Sequence, residues 1–210
     1  MENNTSIETL IENSLKEFLD MGIENDTQQK TKSRLIFPRY YSRGNAEDKR
    51  ISEQELRFTL VRKLENESDF YYSVEAPTKK KYAFEGSKEN SRSGSIDLCL
   101  HDSNGERTNL IEFKNKGGIS DISKDLEKLL FDLESANNYF VHLDSSKSKS
   151  ADKIHEEYKM ALEEAKENSS ECRPGEKIIA NVTIFLFVIS TGELHKYEIN
   201  KKGQLNKVDG

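Results

Sequence analysis

Apolar residues recur at helical spacing in several stretches of the chain. Over residues 7–19 and 122–133 they fall three or four positions apart, so each stretch predicts an amphipathic helix. A further helix is predicted to begin at Ser52, because Ser52 and Glu55 match the Ser-x-x-Glu capping box. Residues 151–167 show a highly charged helical pattern, which predicts a helix on the protein surface.

Other apolar stretches are short and rich in β-branched and aromatic residues, which favours strands. They are residues 70–76, 82–84, 96–100, 110–114, 139–143, 178–189 and 194–199. The stretch 178–189 is almost continuously apolar, which is typical of a central strand buried on both faces. The segment after Asn200 shows no such pattern and is predicted to be frayed. The order of these elements predicts a mixed α/β (α+β) fold in which helices flank a central mixed β-sheet.

The length of the chain sets its domain organisation. With 210 residues and a mass of 24.1 kDa, it has the size of one ordinary domain. We therefore predict a single domain over residues 1–210. Residues 1–50 are expected to form an N-terminal helix and an extended arm, residues 51–145 the core, and residues 146–210 a helix followed by C-terminal strands.

The composition excludes several classes of protein. No stretch reaches the roughly 18 apolar residues of a membrane span, and the first residues lack the features of a secretory signal. Cys99 and Cys172 have neither disulfide-framework nor zinc-site spacing, so we expect a reduced, cytoplasmic protein without membrane contact. The formal net charge of −6 argues against a wholly basic surface for wrapping nucleic acid. Lys79, Lys80 and Lys81 nevertheless form a local basic patch.

Two predicted strands and the turn between them contain the candidate chemistry. Asn104-Gly105 is a strong hairpin signal, and as a two-residue loop it pairs residues whose numbers sum to 209. Asp97 then lies directly opposite Glu112. Because side chains alternate along a strand, Lys114 projects from the same face as Glu112. A slip of one residue in this pairing would separate Asp97 from the other two side chains.

Such a pairing brings two carboxylates close together. Directly opposed residues of an antiparallel pair have Cβ atoms roughly 4.5–5.5 Å apart, and two carboxylates at that distance repel each other. A divalent cation between them reverses this repulsion, and carboxylate oxygens suit Mg²⁺, which keeps water ligands for a phosphate substrate. A lysine beside the metal positions a water or stabilises the charge that develops on a phosphate.

These residues carry a resemblance to a known family. Asp97 on one strand, followed by Glu112-Phe113-Lys114 on the next, resembles the signature of the PD-(D/E)XK, or restriction-endonuclease-like, nuclease superfamily. That signature has an aspartate on one core strand and Glu/Asp-x-Lys on the next, and a preceding helix often supplies a glutamate. Ile96 replaces the proline that names the motif. The resemblance covers about the middle half of the chain, including the predicted helix and strand that follow the motif.

The resemblance implies a restriction-endonuclease-like core and metal-dependent hydrolysis of phosphodiester bonds, with DNA as the commoner substrate. It implies that Asp97 and Glu112 hold Mg²⁺ or Mn²⁺ and that the backbone carbonyl of Phe113 adds a ligand. Lys114 would orient the attacking water. Enzymes of this superfamily often act as dimers, so a homodimer or a protein partner is also expected.

The helix glutamate of this signature is predicted to be Glu53. It shares a helix face with the apolar residues that follow it, whereas Glu55 is the reserve because the capping box occupies it. Glu53 would help to hold the metal or its waters. Basic residues predicted to contact nucleic acid are Arg50, Lys79, Lys80, Lys81 and Lys116.

Two other interpretations of the motif remain open at this point. The chain is then either a catalytically inactive nuclease-fold module that binds nucleic acid or a protein partner, or an α/β protein with an ordinary charged hairpin. A Glu-x-Lys tripeptide carries little information alone in a chain of which 33% is charged. If the hairpin is an ordinary charged one, the carboxylates of Asp97 and Glu112 diverge into solvent.

Overall fold

The structure is a computed structural model that describes most of the chain. The described residues are 5–20, 28–30, 36–38, 52–82, 92–132, 136–144, 149–172 and 175–208. Within these ranges, every helix is too short or too polar to cross a membrane. Helices and strands combine in a mixed α/β fold, as the sequence predicted.

The chain divides into two compact units, Met1–Asp69 and Phe70–Gly210. The first unit contains helices α1 (Ile7–Asp20) and α2 (Glu53–Glu67), which pack against each other, and a short antiparallel pair of strands. These strands are β1 (Gln28–Lys30) and β2 (Ile36–Pro38). Both helices of this unit were predicted, α1 from its periodicity and α2 from the capping box. The predicted core over residues 51–145 spans both units, and the single domain over the whole chain stays a prediction.

Helix α2 begins at the capping box that the sequence predicts. The Ser52 side chain accepts a hydrogen bond from Gln54 N (3.3 Å), and Glu55 Oε2 accepts one from Ser52 N (3.3 Å).

Replacing Ser52 with alanine is expected to lower the free energy of unfolding by about 1 kcal/mol, because it removes the cap. Urea unfolding measures this loss. Ser52→Asp is the control, since aspartate also caps helices; an equal loss in both variants would contradict a role for the cap.

The second unit is built on a seven-stranded mixed sheet with helices α3 and α4. The strands are β3 (Tyr71–Tyr82), β4 (Arg92–His101), β5 (Arg107–Asn115), β6 (Asn137–Asp144), β7 (Val182–Val188), β8 (Glu193–Ile199) and β9 (Leu205–Val208). The helices are α3 (Ile119–Phe131) and α4 (Ala151–Cys172). Strands lie side by side in chain order, from β3 to β9. The pairs β5–β6 and β6–β7 are parallel, and the other pairs are antiparallel.

Helices α3 and α4 connect the parallel strands and pack together on the sheet. Two successive right-handed crossovers in the same direction along a sheet place both helices on one face. Leu126 and Leu129 of α3 are fully buried in a core that includes Phe140 of β6 and residues of α4. Ion pairs described below show that α3 covers the face of β5 that carries Glu112 and Lys114.

Several elements differ from the sequence prediction, among them β3, β7 and β9. β3 is one long strand rather than two, because a shift of register between Pro77 and Lys81 allows the pairing with β4 to continue. β7 begins at Val182, later than the apolar stretch suggests. The prediction of a frayed tail after Asn200 is wrong, because Gln204 accepts the Asn200 N–H and β9 then pairs with β8. β9 has four residues, which are too few for an alternation of apolar and polar residues to indicate a strand.

Candidate functional site

The β4–β5 hairpin closes around a longer loop than the two-residue turn predicted. Asp102 N donates to the Glu106 carbonyl (3.0 Å), and Gly105 adopts a left-handed conformation with φ of 81°. Thr108 then forms a bulge on β5, which adds one residue to that strand and corrects the register. Beyond the bulge the pairs sum to 209, as predicted: Leu100–Asn109, Cys99–Leu110 and Leu98–Ile111.

Asp97 lies at an interruption in the sheet. Among the described residues, the registered pairs of β4 with β3 and with β5 both leave out Asp97. Glu75, which faces it on β3, has a φ of 51°, a value uncommon for any residue except glycine. The Asp97 Oδ2 accepts a hydrogen bond from Phe113 N (2.8 Å), in the position that a β4 carbonyl takes in a continuous ladder. Its carboxylate therefore reaches β5 between Glu112 and Lys114.

The Glu112 carboxylate is buried, and its counter-ion is a lysine from α3. The side chain of Glu112 is only 2% exposed. Lys128 Nζ lies 2.6 Å from Glu112 Oε1 and 2.9 Å from Asp125 Oδ1. It also donates to the Ser95 carbonyl (3.1 Å). The ammonium group thus contacts oxygens from β4, β5 and α3, and Glu112 does not lie on an open hairpin face.

Lys114 also forms an ion pair with helix α3. Its Nζ lies 2.6 Å from Asp125 Oδ2. Asp125 therefore binds Lys114 through one oxygen and Lys128 through the other. Acids and lysines alternate along the series Glu112, Lys128, Asp125 and Lys114, which we call the charge cluster.

Burial and charge change the pKa values of this cluster in defined directions. Burial raises the pKa of Glu112 well above its usual value, the Lys128 ammonium opposes this effect, and the Asp125 and Asp97 carboxylates add to it. For Lys128, burial alone would lower the pKa. The Glu112 and Asp125 carboxylates outweigh burial and raise it. Lys128 is therefore a permanent cation at neutral pH.

Sequence reasoning missed Asp125 and Lys128. Asp125 lies three residues after Ile122 and four before Leu129, so it falls on the apolar stripe of α3. A charged residue inside a buried stripe is the signal that could have indicated a partner on the sheet. The identity of that partner depends on how the helix packs, which the local sequence does not specify.

The two candidate helix glutamates, Glu53 and Glu55, belong to the first unit. Glu53 is the first residue of α2 in the first unit and is half-buried, and its role stays a prediction. Glu55 is buried and takes part in the capping box, as expected of the reserve. Arg50 lies outside the described residues.

The predicted basic residues differ in exposure. Lys79, Lys81 and Lys116 are exposed, and Lys116 has a φ of 62° at the end of β5. Lys80 is half-buried, and its ammonium forms an ion pair with Glu176. Its backbone N–H donates to Asp132 Oδ1 (2.8 Å). Lys80 therefore also has a structural role, and contact with nucleic acid stays a prediction for all of these residues.

A second buried polar pair lies next to the charge cluster. His142 of β6 is the registered neighbour of Lys114. Its Nδ1 lies 2.8 Å from the Tyr158 hydroxyl of α4. Burial lowers the pKa of His142 to about 4, although the Asp144 carboxylate partly opposes this effect. His142 is therefore neutral at physiological pH.

The oxygen donors on β4 and β5 have the chemistry that a hard divalent cation requires. Asp97 and Glu112 provide carboxylates on neighbouring strands, and Phe113 between Glu112 and Lys114 provides a backbone carbonyl. In the part of the chain that the structure describes, no three His, Cys, Asp or Glu side chains form a metal-binding group. The donor set fits such a cation in type, and Lys128 is the cation that contacts Glu112 in this structure.

Comparisons with known proteins do not assign a family to this chain. No protein-family model matches the chain, and no curated protein matches it at a significant level.

Proposed function

We propose that the chain is a metal-dependent nuclease with a restriction-endonuclease-like core, which hydrolyses phosphodiester bonds of nucleic acid. DNA is the favoured substrate, because it is the commoner one in the superfamily that the motif resembles. The observation that carries the proposal is the contact between Asp97 Oδ2 and Phe113 N (2.8 Å). It brings the aspartate of one strand to the centre of the Glu112-Phe113-Lys114 segment of the next. These are the parts of the signature that the sequence resembles.

The order of strands also supports the proposal. β3, β4 and β5 form an antiparallel unit, and α3 then crosses to the parallel strand β6. The sequence resemblance implied a long helix and a further core strand in these two places. Open α/β sheets commonly bind ligands near the carboxyl ends of their parallel strands, and Lys114 lies near that end of β5.

Each residue of the site then has a defined role. Asp97, Glu112 and the Phe113 carbonyl would hold Mg²⁺ or Mn²⁺. When bound, the cation supplies Lewis-acid stabilisation and lowers the pKa of a coordinated water. Lys114 orients the attacking water and stabilises negative charge on the phosphate. Asp125 positions the Lys114 ammonium through their 2.6 Å contact.

Cleavage of DNA by the purified chain tests this function. We expect MgCl₂- or MnCl₂-dependent cleavage of plasmid or single-stranded DNA, and a loss of at least about a hundredfold in Asp97→Asn. Asparagine retains an oxygen that accepts the Phe113 N–H, so the thermal melt should remain close to that of the wild type.

Asp102→Asn is the matched control for this assay. Asp102 lies in the same hairpin, where it accepts backbone N–H groups of the turn, and asparagine preserves an acceptor. Its activity should equal that of the wild type. Absence of cleavage on single-stranded, double-stranded and branched DNA and on RNA, with either metal, would contradict the proposal.

One observation favours a second candidate, a catalytically inactive module of the same fold that binds nucleic acid or a protein. Lys128 and Lys114 already provide counter-ions for Glu112 and Asp125, so these carboxylates are compensated by the protein itself. A mobility-shift assay separates the two candidates. Binding of DNA without cleavage, unaffected by chelation of divalent ions, would favour the module.

A further inference from the structure

The ammonium group of Lys128 is enclosed by oxygens. It lies 2.6 Å from Glu112 Oε1, 2.9 Å from Asp125 Oδ1 and 3.1 Å from the Ser95 carbonyl. A lysine ammonium has three N–H donors, and these three oxygens match them in number. The environment of Lys128 Nζ, with two carboxylates and a carbonyl, is thus one in which oxygen atoms coordinate a cation.

We propose that Lys128 and a divalent cation compete for the Glu112 carboxylate, so that binding of the cation displaces Lys128. The inference rests on the proposed function, in which Glu112 is a metal ligand. An ammonium at 2.6 Å from Glu112 and a doubly charged ion on the same carboxylate repel each other strongly in a buried site. The two cations are therefore alternative partners of Glu112 rather than simultaneous ones.

The charge cluster allows this exchange without leaving a carboxylate uncompensated. Asp125 binds Lys128 through Oδ1 and Lys114 through Oδ2. When Lys128 leaves, Glu112 gains the metal and Asp125 keeps Lys114. The side chain of Lys128 is 11% exposed and unbranched, so its ammonium can move towards water by rotation about its own bonds.

Titration of the full chain with MnCl₂ tests the competition. The Lys128→Met variant keeps the length of the side chain and removes its charge. We expect it to bind Mn²⁺ at least about tenfold more tightly than the wild type, measured by calorimetry and by the rise in melting temperature. Lys159→Met is the matched control, because Lys159 also pairs with an acid three residues away, Glu156, but on an exposed surface. The control should bind Mn²⁺ as the wild type does.

Chemical labelling of the wild type provides a measurement that needs no variant. Lysine acylation, read by mass spectrometry, should modify Lys128 slowly without metal and several-fold faster when Mn²⁺ is bound. Labelling of Lys159 should not change. If Lys128→Met fails to fold, this measurement decides the question: constant labelling of Lys128 with Mn²⁺ bound would overturn the inference.

The outcomes separate this inference from the proposed nuclease. Equal Mn²⁺ affinity in the wild type and Lys128→Met, together with DNA cleavage, would overturn the inference and leave the nuclease intact. Tighter binding in Lys128→Met without cleavage by either protein would support the inference and contradict the nuclease. No Mn²⁺ binding by either protein would overturn both.

Discussion

Replacing Lys128 with methionine is expected to lower the free energy of unfolding by about 3–5 kcal/mol when divalent ions are chelated. The lysine is the buried counter-ion of Glu112, and its removal leaves that carboxylate without compensation in a buried site that also holds the Asp125 and Asp97 carboxylates. Urea unfolding with a chelator present measures the loss. The expected effect is large because the penalty arises from the charge that remains, not only from the contact that is lost.

A double variant distinguishes this explanation from simple loss of packing. Glu112→Gln combined with Lys128→Met removes both charges and keeps both side-chain lengths. Its stability should recover a large part of the loss, since replacing both members of a buried ion pair is often neutral. Lys159→Met on the exposed face of α4 should change stability by less than about 1 kcal/mol. A double variant as unstable as Lys128→Met would show that lost packing, not uncompensated charge, causes the effect.

His142 is expected to make the stability of the fold decrease in mild acid. An unfolded histidine takes up a proton near pH 6.5, whereas burial keeps folded His142 neutral down to about pH 4. Between these values the unfolded chain binds more protons, so stability is complete above pH 6.5 and falls as the pH is lowered. The difference between the two pKa values corresponds to about 3 kcal/mol by pH 4.

Urea unfolding at a series of pH values, compared with His142→Asn, measures this contribution. Asparagine does not titrate, and the carboxyl groups of the protein contribute equally to both proteins. The variant should therefore lose less stability than the wild type between pH 6.5 and pH 4. Parallel stability profiles would mean that His142 becomes protonated in the folded state near its usual pKa.

Local sequence patterns predicted the elements that depend on neighbouring residues. Ser52 and Glu55 form the capping box that their spacing predicts, and the periodicity of α1 and α3 matches the helices observed. The predicted register of the hairpin was also correct from Leu98 to Leu100, although the two-residue turn from which it was predicted was not. A three-residue loop and a bulge together produce the pairing that a two-residue loop would have produced.

Contacts between distant parts of the chain were not predictable in the same way. The pairing of Lys128 with Glu112 depends on where α3 crosses the sheet, and no local pattern contains that information. The strand β9 was missed for a related reason: its pairing with β8 stabilises a segment that has little preference of its own. The sequence thus indicated Asp97, Glu112 and Lys114 as candidates, while the α3 residues that pair with Glu112 and Lys114 required the structure.

The bulge at Thr108 determines how the hairpin tolerates insertions and deletions. Consecutive strand residues face opposite sides of a sheet, so deleting one residue between Asn109 and Glu112, with the bulge kept, would move Glu112 and Lys114 away from α3, whereas deleting Thr108 removes only the bulge. Extra residues within the loop, in contrast, leave the odd–even parity of β5 unchanged. Single-residue length changes on β5 beyond Asn109 therefore decide which face of the sheet carries Glu112 and Lys114, whereas the loop at Gly105 is a suitable place to insert a tag or a reporter.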